Sequence, residues 1–136
     1  MIPPCHVAFI KERIMNTKID WFQIPSNDFD RAVQFYETIF DTELRRQQAG
    51  PSQMGIFPGA TGDSIGAVIK GEGYVAGNAG AVIYFDASPA IDDVIARIKT
   101  AGGKIVIDKL ALPDDIGYVA HFIDTEGNRL ALHSKA

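Results

Sequence analysis

Apolar positions along the chain follow two periods, and the clearest switch between them lies between Ile19 and Phe40. Ile19, Trp21, Gln23 and Pro25 share one side of an extended segment, with Asp20, Phe22 and Ile24 on the other. Ala32, Phe35, Tyr36, Ile39 and Phe40 then recur at helical spacing and form one apolar stripe. Asp28, or Asn27 before it, is placed to accept hydrogen bonds from the free N–H groups of the first turn. Asp30 adds negative charge where the helix dipole favours it. A strand beneath a helix buries its aliphatic side. Phe22 and Ile24 therefore belong to the core, and Trp21 and Gln23 point away from it.

The pattern then predicts three strands: Thr42–Gln47, Met54–Phe57 and Ile65–Lys70, separated by turns at Ala49–Ser52 and Pro58–Ser64. Gly71–Gly80 is rich in glycine and has no period; residues 71–79 read as a linker or flap, with Tyr74 and Val75 its only sizeable apolar side chains. A second strand follows at Ala81–Phe85. Ser88 as cap and Pro89 as first residue predict a helix whose stripe is Ile91, Val94, Ile95 and Ile98, stopped at Gly102-Gly103. Lys104–Asp108 is the next strand, and Leu110–Ile116 reads as a loop. Tyr118–Ile123 and Arg129–His133 form a hairpin in which Gly127 supplies the positive φ its turn requires. The order strand–helix–strand–strand–strand thus occurs twice. Trp21 and Ala81 mark matching points of the two copies, 60 positions apart.

This predicts an α+β domain over residues 18–134, built from a module at 18–70 and a module at 80–134. Residues 1–17 form an N-terminal arm, and Met15 stands where translation would start if residues 1–14 lie upstream of the natural beginning. The hydrophobic share of 46% with 22% charged residues is that of an ordinary folded domain. A net charge of −4 and scattered basic residues argue against a nucleic-acid partner. No apolar run is long enough to span a membrane. The lone Cys5 excludes an internal disulfide and suits a reducing cytoplasm. Cys5 and His6 are too few ligands for a metal site, and Cys5 has no positioned base that would make it a nucleophile.

Asp28-Phe29-Asp30-Arg31-Ala32 followed by Phe35-Tyr36-Glu37 resembles the D-x-x-R-A-x-x-F-Y helix start of the vicinal oxygen chelate superfamily. That superfamily includes glyoxalase I, bleomycin-resistance proteins and extradiol dioxygenases. Gly102-Gly103, Gly117 and Asp124-Thr125-Glu126-Gly127-Asn128, with Leu130 and Leu132, resemble its closing motif; Thr125 stands where proline is usual. The resemblance implies paired βαβββ modules whose curled sheets form a cup, often completed by dimerisation. In metal-dependent members, His, Glu or Gln side chains from the opening and last strands of each module hold a divalent ion there.

Carried over position by position, the resemblance places Trp21, Ala81, Ala131 and the stretch Ile65–Ile69 at those ligand positions. None offers a donor suited to a cation. Gln23, His121 and His133 are the nearby residues with a lone pair to give. The sequence therefore predicts a cup without metal or other cofactor that binds a small organic molecule. Trp21, Gln23, Phe57, His121 and His133 are its candidate contacts, and His133 doubles as a candidate base. Phe57 and Tyr84 also suit core or rim positions. Asp92 and Asp93 read as capping charges, and Glu37 and Glu126 as surface residues. The family's metal-dependent lyases, isomerases and dioxygenases supply the rival expectation, and a filled cup with a purely structural role supplies a third.

Overall fold

The two periods fold into two copies of one unit. A computed structural model describes residues 17–136. The proposed arm, the Met15 start, and Cys5 with His6 lie outside the described residues. The first unit comprises β1 (Phe22–Pro25), α1 (Phe29–Phe40), β2 (Arg45–Ala49), β3 (Ser52–Pro58) and β4 (Ser64–Lys70). The second comprises β5 (Tyr84–Asp86), α2 (Ile91–Thr100), β6 (Lys104–Leu112), β7 (Gly117–Ile123) and β8 (Arg129–Ser134).

Each unit makes one four-stranded mixed sheet, in the orders β1-β4-β3-β2 and β5-β8-β7-β6. The first and last strands of each unit run parallel and the remaining pairs are antiparallel. The register makes the copies superimposable. Gln23 stands opposite Ala67 as Tyr84 stands opposite Ala131. Ser26 N–H donates to Ile69 O as Ala87 N–H donates to His133 O. The equivalence therefore runs 61 positions apart in the opening strands and pairs Trp21 with Val82, one residue beyond the Ala81 suggested by hydrophobic pattern alone.

The helix-facing side chains of both sheets join one core. Ile24 is buried there, Phe22 packs half-buried beside it, and Gln23 on the opposite face is exposed, as the alternation predicted. Phe85 inserts into the aromatic cluster of the first unit, with ring centroids 4.7 Å from Phe40, 5.6 Å from Phe22 and 5.6 Å from Phe57. Tyr36 packs edge-on against Phe57 at 5.5 Å. Phe35 of α1 reaches across to Phe122 of β7 and to Gly103, where an added Cβ would lie 2.9 Å from its ring. Gly102 ends α2 with φ +100°, as a helix-stop glycine does, but Gly103 is needed so that the first unit can approach the second.

Several local expectations change in the folded chain. Ala90, not Ser88, occupies the cap position of α2. The Ser88 N–H is taken by the Asp86 carboxylate at 2.9 Å, which ends the strand before the helix begins. The loop expected from Leu110 is strand through Leu112, because β6 bulges twice between Ile105 and Leu110 and so extends its pairing with β7. Glu37 is half-buried and caps the Leu44 N–H at 3.0 Å. Glu126 is no surface residue: its side chain is 0% exposed.

Glu126 lies at the centre of the contact between the units. Its Oε1 accepts the backbone N–H groups of Asn27 (2.8 Å) and Asp28 (2.7 Å), at the entry to α1. Its Oε2 accepts from Arg31 Nε at 2.7 Å. Beside it, Tyr36 Oη donates to Asp124 Oδ2 at 2.6 Å, and Asn128 Nδ2 donates to Pro25 O at 2.7 Å. Asp124 holds the turn itself by accepting from the Glu126 and Asn128 N–H groups. Burial pushes the Glu126 pKa up, but the donors from Arg31, Asp28, Thr125 and Asn27 outweigh it and hold the carboxyl below its usual range. Burial, then the negative charge of Asp124, keeps the Tyr36 hydroxyl protonated well beyond the ordinary phenol range.

Two outcomes follow for stability. Glu126→Gln, which places an amide N–H₂ among donors, should lower the unfolding free energy by about 2–4 kcal/mol in urea titrations. A change below half a kcal/mol in that titration would show that the clamp is dispensable. Because the folded pKa of Glu126 lies below the ordinary 4.5, its contribution is complete above that pH and is lost as pH falls through the lower folded value. The wild-type chain should accordingly lose more stability than Glu126→Gln between pH 6 and pH 3, a range set around that ordinary value.

Candidate functional site

The face of each sheet turned away from the helices carries the chemistry. Alternation along β8 places Arg129, Ala131 and His133 on that face, and the register adds Tyr84 of β5 and His121 of β7, both opposite Ala131. The small Ala131 at the centre leaves room for the polar groups around it. Arg129 Nε donates to His121 Nδ1 at 3.2 Å, and His121 Nε2 lies 2.8 Å from Tyr84 Oη. The two rings meet edge to face at 5.3 Å.

This chain of contacts sets the proton positions. A guanidinium nitrogen only donates, so Nδ1 must be the acceptor and the imidazole proton resides on Nε2. Nε2–H then donates to the Tyr84 oxygen, and the Tyr84 hydroxyl proton is left for another acceptor. Burial, with the Arg129 charge adding to it, lowers the His121 pKa below 6.5 and keeps the ring neutral. Tyr84 is 51% exposed, so its hydroxyl can meet a solute.

Two cavities flank this array. A crevice of about 190 Å³ runs between the two units, with Gln23, Pro25, Ile83, Asn128 and Arg129 among its walls. The linker covers it through Val75, Gly77 and Ala79, and is tied down where Gly77 N–H donates to Asn128 Oδ1 at 3.0 Å. On the other side an apolar hollow of about 470 Å³ is lined by Tyr84, Phe85, Asp86, Leu112, Val119 and His133. The linker residue Val75 thus lines a cavity as a flap would, whereas Tyr74 lies in a different surface depression.

The sequence-derived candidates separate into three groups. Gln23 and His121 come together around Arg129: Gln23 shares its crevice, and His121 accepts its Nε–H. His133 is on the same face of its sheet but spends Nε2–H on Ile116 O at 2.7 Å, which leaves Nδ1 as an acceptor. Trp21, 38% exposed, precedes β1 and is absent from the crevice walls. Phe57 is buried on the helix side, among Phe22, Tyr36, Phe40 and Phe85, and belongs to the core. Tyr84 and Arg129 were not among the candidates. The alternation Arg129-x-Ala131-x-His133 was their signal, but only the pairing of β5 with β8 places a tyrosine beside it.

A divalent ion does not suit this donor set. Trp21 offers only an indole N–H; Val82, its structural counterpart, and Ala131 have no donor atom, nor does any side chain from Ile65 to Ile69. Both ring nitrogens of His121 are engaged. Among the described residues no three His, Cys, Asp or Glu side chains converge.

The fold defines a domain type shared with known proteins. Residues 18–132 match the model of the Glyoxalase/Bleomycin resistance protein/Dioxygenase superfamily, and the chain belongs to that family. It is 30% identical over 127 residues to a glyoxylase-like domain-containing protein of Didymella fabae, covering 88% of this chain and 94% of that one. A fosfomycin resistance protein of Listeria monocytogenes shares the fold with TM-score 0.68 at 20% identity, covering 88% and 92% of the two chains. A family domain from Frankia gives 0.67 at 18% identity, covering 88% and 98%. Glyoxalase I of Zea mays, crystallised as a V278E mutant, gives 0.63 at 20% identity over 85% of this chain; the match spans 45% of the maize enzyme, about half its length. These likenesses establish the architecture of paired βαβββ units. No described helix is long and apolar enough to cross a membrane.

Removing the charge on Arg129 should release His121. In an NMR pH titration, the His121 imidazole of Arg129→Gln is expected to titrate at a higher pH than in the wild type. An unchanged or lower midpoint would contradict the hydrogen-bonded order Arg129–His121–Tyr84.

Proposed function

We propose that this protein binds a small organic molecule on the helix-free faces of its sheets without the help of a divalent ion. The observation that supports this reading is the Tyr84–His121–Arg129 array. It fixes a neutral imidazole, commits both ring nitrogens within the protein, and presents a hydroxyl proton between two cavities. Such an arrangement orients a hydrogen-bond acceptor of a ligand, and the apolar hollow beside it takes the ligand body. Trp21, outside the crevice walls but two residues before Gln23 and on the same side of the strand, offers a flat apolar surface to any part of the ligand that extends beyond the crevice. His133 retains a free Nδ1 lone pair as the candidate proton acceptor, and Asp86 stands opposite it across the strand pair.

The same reading includes pairing with a second copy of the chain in the cytoplasm, where a lone cysteine stays reduced. The edge strand β6 exposes Val106, Ile107 and Leu110, an apolar display that isolated edge strands avoid. Sedimentation at varied concentration tests the pairing, and a strict monomer at high concentration would contradict it.

Thermal-shift screening of the purified protein against a metabolite library and against Mg²⁺, Zn²⁺ and Ni²⁺ tests the binding itself. A ligand at a hundredfold its Kd should add about 2.7 kcal/mol of stability. Tyr84→Phe and Trp21→Ala should each weaken that ligand, and the three ions should leave the melting curve unchanged. Specific stabilisation by one ion, with near-stoichiometric metal by elemental analysis, would restore the metal-dependent lyase, isomerase or dioxygenase reading.

A further inference from the structure

The crevice between the units contains one charge that no described residue balances. Arg129 is half-buried, and its single hydrogen bond among the described residues runs through Nε to a neutral imidazole. No described carboxylate lies within ion-pair distance of it. Among the described residues the crevice walls contain no Asp or Glu. A partly desolvated guanidinium without a counter-charge, in a chain of net charge −4, is costly unless an anion completes it.

The other polar groups of the crevice narrow the choice. The amide of Asn128 is fully spent: Nδ2 donates to Pro25 O and Asp124 Oδ2, and Oδ1 accepts from Gly77 N–H. The Gln23 side chain makes no hydrogen bond among the described residues and stands free on the wall. What remains is the terminal N–H fork of Arg129 and the Gln23 amide, which can turn its N–H₂ toward the fork's ligand and its carbonyl oxygen to water. A fork beside one neutral donor matches the two oxygens and single charge of a planar carboxylate. A phosphate dianion would bring a second charge and a third oxygen with no partner. At about 190 Å³ the crevice is smaller than the cavities that take drug-sized ligands, so the bound group is small.

We propose that the crevice between the two units is a carboxylate site, in which Arg129 and Gln23 hold the carboxylate of a small monoanionic organic acid. This names the ligand class of the binding function above and rests on that reading.

The test uses the full chain and matched probes: propionate and benzoate, their amides propionamide and benzamide, and inorganic phosphate, with sodium chloride holding ionic strength constant. Binding is read by thermal shift and by ¹H–¹⁵N spectra of the Gln23 and Arg129 side chains. The expected result is saturable binding of at least one carboxylate, with no response to its amide. Arg129→Gln should weaken it by about tenfold or more, and Arg129→Lys should retain part of the affinity. Gln23→Leu, which leaves the Arg129–His121 hydrogen bond alone, should also weaken it while the unliganded melting temperature stays close to wild type. Equal binding of acid and amide, preference for phosphate, or full affinity in Arg129→Gln would overturn the carboxylate assignment while small-molecule binding stood. Silence of these probes alongside a hit from the metabolite library would do the same, and silence of both would remove both.

Discussion

The structure depends on one buried carboxylate. Two βαβββ units joined by a glycine-rich linker have no backbone ladder between them, since their sheets are hydrogen-bonded separately. Packing of apolar side chains brings them together but is not directional. The Glu126 carboxylate supplies direction by accepting two backbone N–H groups at the start of α1 and the guanidinium Nε of Arg31. It thereby fastens a turn of the second unit to a strand–helix junction of the first. Left without this acceptor, those N–H groups would lose their partner in a part-buried contact between the units, which is why one side chain matters so much.

The clamp also sets the site. Asn128, two residues after Glu126, binds Pro25 O on one side and the linker at Gly77 on the other. Arg129 follows directly and enters the crevice that these contacts define. The spacing between Gln23 and Arg129 is therefore a consequence of how the units dock, not of either sheet alone. Holding a charged fork on a strand that begins at a rigid turn gives it a fixed aim, which a linker or terminal loop would not provide. The neutral His121 behind it is fixed in the same way, through proton placement instead of packing.

Membership of this superfamily explains the architecture and leaves the chemistry to individual side chains. In this chain the positions that the resemblance assigns to metal ligands carry an indole and aliphatic groups, and the polar atoms of the face lie on Tyr84, His121 and Arg129. A face built from a phenol, an imidazole and a guanidinium offers hydrogen-bond donors and a positive charge. It lacks the converging lone pairs that a cation demands.

Periodicity and punctuation by themselves determined the two copies of the unit, the helix stripes, a cap at Asn27 or Asp28, the Gly102 stop and the positive φ at Gly127, and the fold selects Asp28 as the cap. Those features are local, and a few neighbouring residues decide them. Glu126 reads in sequence as a surface residue because a turn is usually exposed, and its partners lie almost a hundred residues away. Gly103 reads in sequence as part of a helix stop, although its lack of a Cβ makes room both for Ile98 of its own unit and for Phe35 of the other. Phe57 was assigned to the ligand as well as to the core until the pairing of β3 with β4 placed it beside Gly66, under the helices. Tyr84 and Arg129 joined His121 only when β5, β7 and β8 came into register. Spacing along a chain fixes which side of an element a residue occupies; what faces that side across space is decided by how the elements dock.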